Sequence, residues 1–322
     1  MYQDERLHTL GFLEWAGEVA GRAAFGPNNA AGRPPTPPNT PEPIQVTRLT
    51  DRLHLLTGAG GNIAVFAADG GTLMVDSGLA PRAADVAKAV AGVRSQRVVT
   101  LINTHWHGDH TGGNERFGNA GARIVAHENT RRRLSREQFQ EAFNRRVPPA
   151  PRAALPTVTF PSARTLRYGG EELRLFHVAP AHTDTDVAIF FPRANVLHTG
   201  DLFFNGFYPF IDYSTGGWLG GMVAAADRLL ATAGANTKII PGHGPLATRA
   251  DLRVYRSMLA TVLGRLEPMA RANKTVDEVV AVRPTADLDA RWGKGFMQPE
   301  QFVRIAYTGI VRHRAAARKS GA

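Results

Sequence analysis

Residues 104 to 110 read Thr104-His105-Trp106-His107-Gly108-Asp109-His110, and Thr111-Gly112-Gly113-Asn114 follow. Side chains able to ligate a metal crowd this short stretch. His105 and His107 are two residues apart, so along extended backbone they project to the same side. Asp109 and His110 come next, on a glycine-containing turn that can aim them at a second point nearby. Burying such a set without a partner is costly, because each unpaired polar group in a core costs on the order of several kcal/mol. A histidine-rich surface turn is the plain alternative. The density and order of the motif, set between an apolar strand and a Gly-Gly pair, argue against it.

Three further positions join the set. His182 stands in Pro180-Ala181-His182-Thr183-Asp184, Asp201 in His198-Thr199-Gly200-Asp201, and His243 in Pro241-Gly242-His243-Gly244-Pro245. Each falls just past the carboxyl end of an expected strand, where binding sites collect in layered sheets. Taken singly, each is an ordinary turn residue; beside the first cluster they read as ligands. The remaining histidines, His8, His54, His127, His177, His198 and His313, are assigned to structure or surface. His198 is the most ambiguous of these, because it lies close to Asp201.

The elements that must position these residues follow from pattern. Short apolar runs punctuated by Gly or Asp predict strands at 45–49, 53–57, 62–67 and 72–76. An alanine-rich helix is expected over 80–93, and a buried strand over 98–103 runs straight into the histidine cluster. A strand at 123–126, a polar helix over 129–145 and a proline-rich bend over 147–156 come next. A second run of strands covers 173–178, 186–191 and 195–197, followed by a helix at 218–232, a last strand at 237–240, and helices at 250–271 and 299–313. Two strand-rich halves, each followed by helices, suggest two sheets packed face to face with helices outside.

Residues 26–43 are dense in Pro, Asn and Gly and predict an extended linker. The expected organisation is therefore an N-terminal helix and linker over 1–43 and a main domain over 44–322. The apolar character of residues 10–20 is broken by Glu14 and Glu18, and Asp4 and Glu5 stand where a signal peptide carries basic residues. A short amphipathic helix fits that segment better, which favours the cytoplasm, with the periplasm as the alternative. No apolar run approaches the ~20 residues of a membrane span.

Composition narrows the chemistry. The chain has 322 residues, 43% hydrophobic and 20% charged, as in an ordinary globular protein. With no cysteine, disulfides, thiolate zinc sites, iron–sulfur clusters and cysteine nucleophiles are excluded. Any metal must be held by His, Asp or Glu. The formal net charge of +10 could draw in anions, although arginines spread over solvated faces explain it equally simply. The run Arg131, Arg132, Arg133 and Arg136 lacks interleaved aromatics and reads as a solvated helix face, so no nucleic acid partner is expected.

The order His-x-His-x-Asp-His, then a lone His, a lone Asp and a His in Gly-His-Gly, resembles the metallo-β-lactamase superfamily. The resemblance spans about 44–250, and Val75-Asp76-Ser77-Gly78 also matches a segment usual in that family. It implies an α/β fold, a four-layer αββα sandwich, and a binuclear centre with two zinc ions per chain. One ion is expected on His105, His107 and His182, the second on Asp109, His110 and His243, with Asp201 bridging them. Water held between two such ions ionises near neutral pH, at a pKa of roughly 7, and attacks a carbonyl or phosphoryl centre. Asp109 is the expected proton handler. The ligand histidines need hydrogen-bond acceptors behind them, for which Asp76, Asp184 and Asp186 are candidates.

Fold does not give substrate. His rather than Glu at position 107 disfavours the di-iron oxidoreductases of this fold, and the short stretch from Asp201 to His243 leaves no room for the extra domain of the nucleic-acid-processing branch. A small-molecule substrate is expected: a small ester, lactone or amide, with β-lactams open. Against the β-lactam reading, aromatics stand where one lactamase class sets a substrate-gripping lysine; Asn205 or a nearby Arg could serve instead. The loop from Phe203 to Tyr213 either walls a pocket or packs the core. A thioester hydrolase of the glyoxalase II kind is the main alternative, and a non-catalytic metal-binding protein is the alternative from another class.

Overall fold

In the computed structural model, which describes residues 43–178 and 180–320, two β-sheets lie face to face between layers of helices. The helix expected over 10–20 and the linker up to residue 42 lie outside the described residues. The first sheet is built from β1 (Gln45–Arg48), β2 (Leu53–Thr57), β3 (Ile63–Ala68), β4 (Gly71–Val75), β5 (Val98–Ile102) and β6 (Arg123–His127). A small separate hairpin follows, β7 (Gln138–Gln140) and β8 (Arg145–Val147), and then β9 (Val158–Phe160) returns to the first sheet beside β6. The second sheet runs in sequence order through β10 (Ala163–Tyr168), β11 (Glu171–His177), β12 (Val187–Phe191), β13 (Val196–His198) and β14 (Lys238–Ile240).

The period-2 pattern of the strands produces the layering. Leu53 and Leu55 of β2, Phe66 of β3, Leu73 and Val75 of β4 and Ile102 of β5 point inward. There they meet Leu173, Leu175, Ile189, Phe191 and Ile240 of the second sheet. The alternate residues Leu56, Ile63, Val65, Met74 and Leu101 face outward under α1 (Ala83–Val93), through its Val86 and Val90. Burial of each such side chain contributes about 1.5–3 kcal/mol relative to exposure.

Beyond α1 come two short helices, α2 (Gly108–Thr111) and α3 (Asn114–Asn119), and then α4 (Glu128–Leu134). The outer face of the second sheet is covered by α5 (Leu219–Thr232) and α6 (Arg249–Arg271). After α7 (Val276–Ala281) and α8 (Asp289–Trp292), α9 (Pro299–Ser320) packs on α5, α6 and α7. The result is the αββα sandwich expected from the sequence. Among the described residues no helix is long and apolar enough to cross a membrane.

One expected element is corrected. The polar stretch 129–145 does not form one helix: α4 stops at Leu134, and β7 and β8 then pair antiparallel, Gln140 opposite Arg145. Asn144 turns the chain between them in the left-handed region, with φ of 47°, a conformation Asn tolerates better than most residues. The arginines on α4 are also less free than a solvated face implies. Arg133 makes a two-pronged pair with Asp184 at 2.8 and 3.1 Å, and Arg131 donates to the carbonyl of Pro156.

Candidate metal centre

The carboxyl ends of β4, β5, β13 and β14, and the turn after β11, meet at one rim of the sandwich. There the structure brings together all seven residues singled out by the sequence. They fall into two groups, His105, His107, His182 and Asp201, and Asp109, His110, Asp201 and His243, within each of which the potential ligand atoms lie within 4.8 Å of one another. Asn62 ties the two sheets together here: its amide nitrogen donates to Pro241 O and Gly244 O, each at 2.9 Å, and its backbone N–H to Gly242 O at 2.8 Å. Two glycines give the side chains room. A Cβ on Gly61 would stand 2.1 Å from His110 Cε1, and one on Gly242 would stand 2.0 Å from Asp201 Oδ1.

In the first group His105 Nε2 lies 3.1 Å from His107 Nδ1, and His182 Nε2 lies 2.9 Å from the same atom. Asp201 Oδ2 faces them, 3.4 Å from His182 Nε2 and 3.7 Å from His105 Nε2. In the second, His110 Nε2 is 3.3 Å from His243 Nε2, 3.4 Å from Asp109 Oδ2 and 3.1 Å from Asp201 Oδ1. The two oxygens of Asp201 thus face different groups.

Behind four of these imidazoles stands an acceptor that fixes which nitrogen faces the site. Asp76 Oδ2 accepts from His110 Nδ1 at 2.8 Å, Asp212 Oδ2 from His107 Nε2 at 3.1 Å, and Phe210 O from His182 Nδ1 at 2.8 Å. Thr104 Oγ1 lies 3.0 Å from His105 Nδ1 and itself donates to Asp76 Oδ2 at 2.7 Å. Asp76 holds this post from a left-handed backbone, with φ of 63°, directly after β4. Of the other acceptor candidates, Asp186 takes the backbone N–H groups of His182 and Thr183 rather than a ring, at 2.8 and 2.9 Å, and Asp184 pairs with Arg133. Asp212 was missed by sequence reasoning, because nothing in a single chain links it to a histidine 105 positions away. His198 is structural: its Nε2 donates to Asn62 O at 3.1 Å and its Nδ1 accepts from Gly200 N.

The electrostatics follow from this crowding of buried imidazoles and carboxylates. Burial lowers the pKa of His105, helped by the charge on His110, and burial takes His182 down to about 4. Burial also opposes charge on His110 and His243, yet the carboxylates of Asp201 and Asp109 outweigh it. They hold His110 well above its ordinary value and raise His243 to about 9. Asp109 and Asp201, against burial, are held well below the usual carboxylate range, His110 being the main cause in each.

Donor chemistry and spacing fit zinc. Tetrahedral Zn–N and Zn–O bonds of about 2.0–2.2 Å set ligand atoms about 3.3–3.5 Å apart, close to the separations in both groups. Asp201 Oδ1 is buried and makes no geometric hydrogen bond, although it lies 3.1 Å from His110 Nε2, which leaves a buried carboxylate oxygen that could ligate a cation. His107, Asp201, Asp109 and His243 are 5%, 5%, 6% and 8% exposed, against 0% for His110 and His182 and 1% for His105, so the centre opens on the side of the former four. Phe210 lies against His107 and His182, with ring centroids 5.7 Å apart in each case, and Phe204 lies 5.4 Å from His243. The aromatic loop therefore serves both purposes: most of it packs the core, while Phe204 and Phe210 wall the centre. Cavities of about 780 and 450 Å³ lie elsewhere, beside α1 and beside β10–β11, and neither is lined by any of the seven residues.

Residues 56–263 match the family model described as the metallo-beta-lactamase superfamily. The chain belongs to that superfamily. Its fold is similar to a metallo-beta-lactamase from Pontibacter korlensis, at 21% identity and a TM-score of 0.57, over 67% of this chain and 99% of that one. It is also similar to the DIM-1 metallo-beta-lactamase, at 20% identity and a TM-score of 0.53, over 68% of this chain and 97% of that one. The stereoselective inverting sec-alkylsulfatase Pisa1 from Pseudomonas sp. matches at 18% identity and a TM-score of 0.60, over 82% of this chain and 50% of that one. At these identities the likeness is one of fold.

Proposed function

We propose that the protein is a binuclear zinc-dependent hydrolase in which water attacks the carbonyl carbon of a small ester, lactone or amide and the acyl C–O or C–N bond breaks, with β-lactams among the candidates. The observation that carries this reading is the shared position of Asp201, whose two oxygens face two complete sets of nitrogen and oxygen donors. His105, His107 and His182 would hold one ion and Asp109, His110 and His243 the other.

Zinc bound there would supply a Lewis acid for the substrate oxygen and lower the pKa of water toward about 7. The chain supplies the rest. Asp212, Asp76, Thr104 and Phe210 O fix the imidazole orientations, so that ligand nitrogens need no rearrangement when substrate arrives. Asp109, at the opening, carries Oδ2 3.0 Å from His243 Nε2, where it can take a proton from the attacking water and return it to the leaving group. Phe204 and Phe210 exclude bulk water from one side of the reacting centre.

The test is a substrate panel on the zinc-loaded protein: a chromogenic β-lactam, a lactone, a 4-nitrophenyl ester and a glutathione thioester, each before and after chelation. One chelator-sensitive hydrolysis, restored by zinc, is the expected result, and the substrate cleaved names the branch. Turnover of none of them by fully loaded protein would turn the reading toward a metal-stabilised binding protein.

A further inference from the structure

The two outer faces of the sandwich are covered unequally. α5, α6 and α9 supply the cluster over the second sheet, whereas α1 and the short α3 supply the one over the first. Toward β1 that cover runs out. A groove of about 780 Å³ opens there between α1 and the β1–β2 pair, with Ile44, Val46, Ala89, Gly92 and Val93 along it. Ile44, Ala89 and Val93 pack on the outer cluster but are only half-buried, and Val46 is 46% exposed. A Cβ on Gly92 would meet nothing within 4 Å, so α1 turns a bare stretch of helix to the opening. His54, which also borders the groove, has a buried Nδ1 with no hydrogen-bond partner. An apolar surface of this kind, rimmed by charge, marks a place where another element sits.

The chain itself carries a matching element. Pro43, where the described residues begin, lines the same groove, and residues 1–42 precede it. The helix expected over 10–20 equals α1 in length, 11 residues. Phe12, Trp15, Ala16 and Val19 stand in it at the i, i+3, i+4, i+7 spacing of a single apolar face. The stretch 21–42 spans at most about 75 Å when extended, ample for the helix to return to the groove at which the linker ends. A tether of that length holds the helix at an effective concentration on the order of millimolar, so even a weak surface captures it. The linker cannot itself pair along the free edge of β1, because Pro34, Pro35, Pro37, Pro38 and Pro41 lack the N–H. Charge agrees. Residues 10–20 carry Glu14 and Glu18 and no base, while Arg82 and Lys88 of the groove outnumber Asp85.

We propose that residues 10–20 dock as a helix in this groove of their own chain, with Phe12, Trp15 and Val19 against Ile44, Val46 and Val93. Lys88 answers the charge of Glu14 and Glu18. The segment thereby completes the outer layer beside α1 and belongs to the folded domain. This assignment is independent of the hydrolase reading.

Because the chain has no cysteine, introduced pairs test this in the full-length protein. Ala16→Cys is combined either with Gly92→Cys in the groove or with Val254→Cys, which is exposed on α6 over the opposite sheet. Each pair is treated at high dilution with a short bismaleimide and the link is read by mass spectrometry. The 16–92 pair should close within one chain about tenfold faster than 16–254. Equal rates would mean that the segment has no preferred place, and links formed only between chains would give the groove to a second copy; either overturns the proposal. The emission of Trp15, taken as the difference between wild type and Trp15→Phe, gives a second readout. Docking predicts a maximum at shorter wavelength than that of a water-exposed indole, and Gly92→Glu, which sets a charge in the open groove, should move it to longer wavelength. A water-exposed spectrum in wild type, unchanged by Gly92→Glu, overturns the proposal. So does a short-wavelength spectrum that appears only on adding phosphatidylglycerol vesicles, alike in both proteins, since the apolar face would then serve a lipid surface.

Discussion

Asp212 Oδ2 lies 3.1 Å from His107 Nε2, on the side of the imidazole turned away from the other ligand-type residues. The carboxylate fixes the tautomer: Nε2 carries the proton, and Nδ1 is left to face His105 and His182. Asp212 is itself buried, and its pKa is held down by the hydrogen bond from His107 against the cost of burial. Acceptors of this kind typically govern metal affinity by ~10–100-fold. Asp212→Ala is therefore expected to weaken zinc binding at the first group by that factor, read by competition with a chromophoric chelator. An affinity equal to wild type would show that His107 is oriented by something else.

Gly61 offers a sharper steric test. A Cβ there would sit 2.1 Å from His110 Cε1 and 2.5 Å from Nε2, so Gly61→Ala must displace the imidazole. The expected outcome is loss of the second zinc with the first retained, accompanied by destabilisation of about 1–3 kcal/mol. Metal analysis and a melting curve on the same sample read both, and full loading with an unchanged Tm would contradict the assigned position of His110.

The relation of sequence to structure is uneven along the chain. The seven ligand-type residues were legible because the chemistry demands rare side chains in a fixed order, each at a strand end that apolar pattern could locate. The sandwich was legible because β2 to β5 are apolar on both faces. The hairpin of β7 and β8 was not, since Gln138 to Val147 carries charge and amide groups with no apolar period, and its position is set by Arg312 and Phe210 from distant segments. Asp212 was hidden for the same reason: its role depends on a partner that only the fold brings near.

His177 gives the protein a sensitivity to acid away from the centre. Its ring stacks on His127 with centroids 3.7 Å apart, and its Nδ1 donates to Asp186 O at 2.9 Å. Burial, then repulsion from His127, lowers its pKa from 6.5 to about 4. A histidine lowered in the folded state favours folding fully above its unfolded pKa, and that contribution is lost as pH falls from about 6.5 toward 4. Because the ring is only partly buried, the loss is expected on the order of 1–2 kcal/mol. His177→Phe keeps the stacking and removes the titration. In metal-free protein its Tm should fall less steeply than wild type across that interval, and parallel curves would rule the pair out as the cause.

On the proposed function, Asp201 would join two zinc ions in one hydrolytic centre. This is tested most directly by metal analysis of the purified chain and of Asp201→Asn, paired with activity before and after chelation. The expected result is two zinc ions per wild-type chain, marked loss from both groups in Asp201→Asn, and activity that disappears with chelator and returns with zinc. A single ion unaffected by Asp201→Asn, or iron in place of zinc, would contradict it.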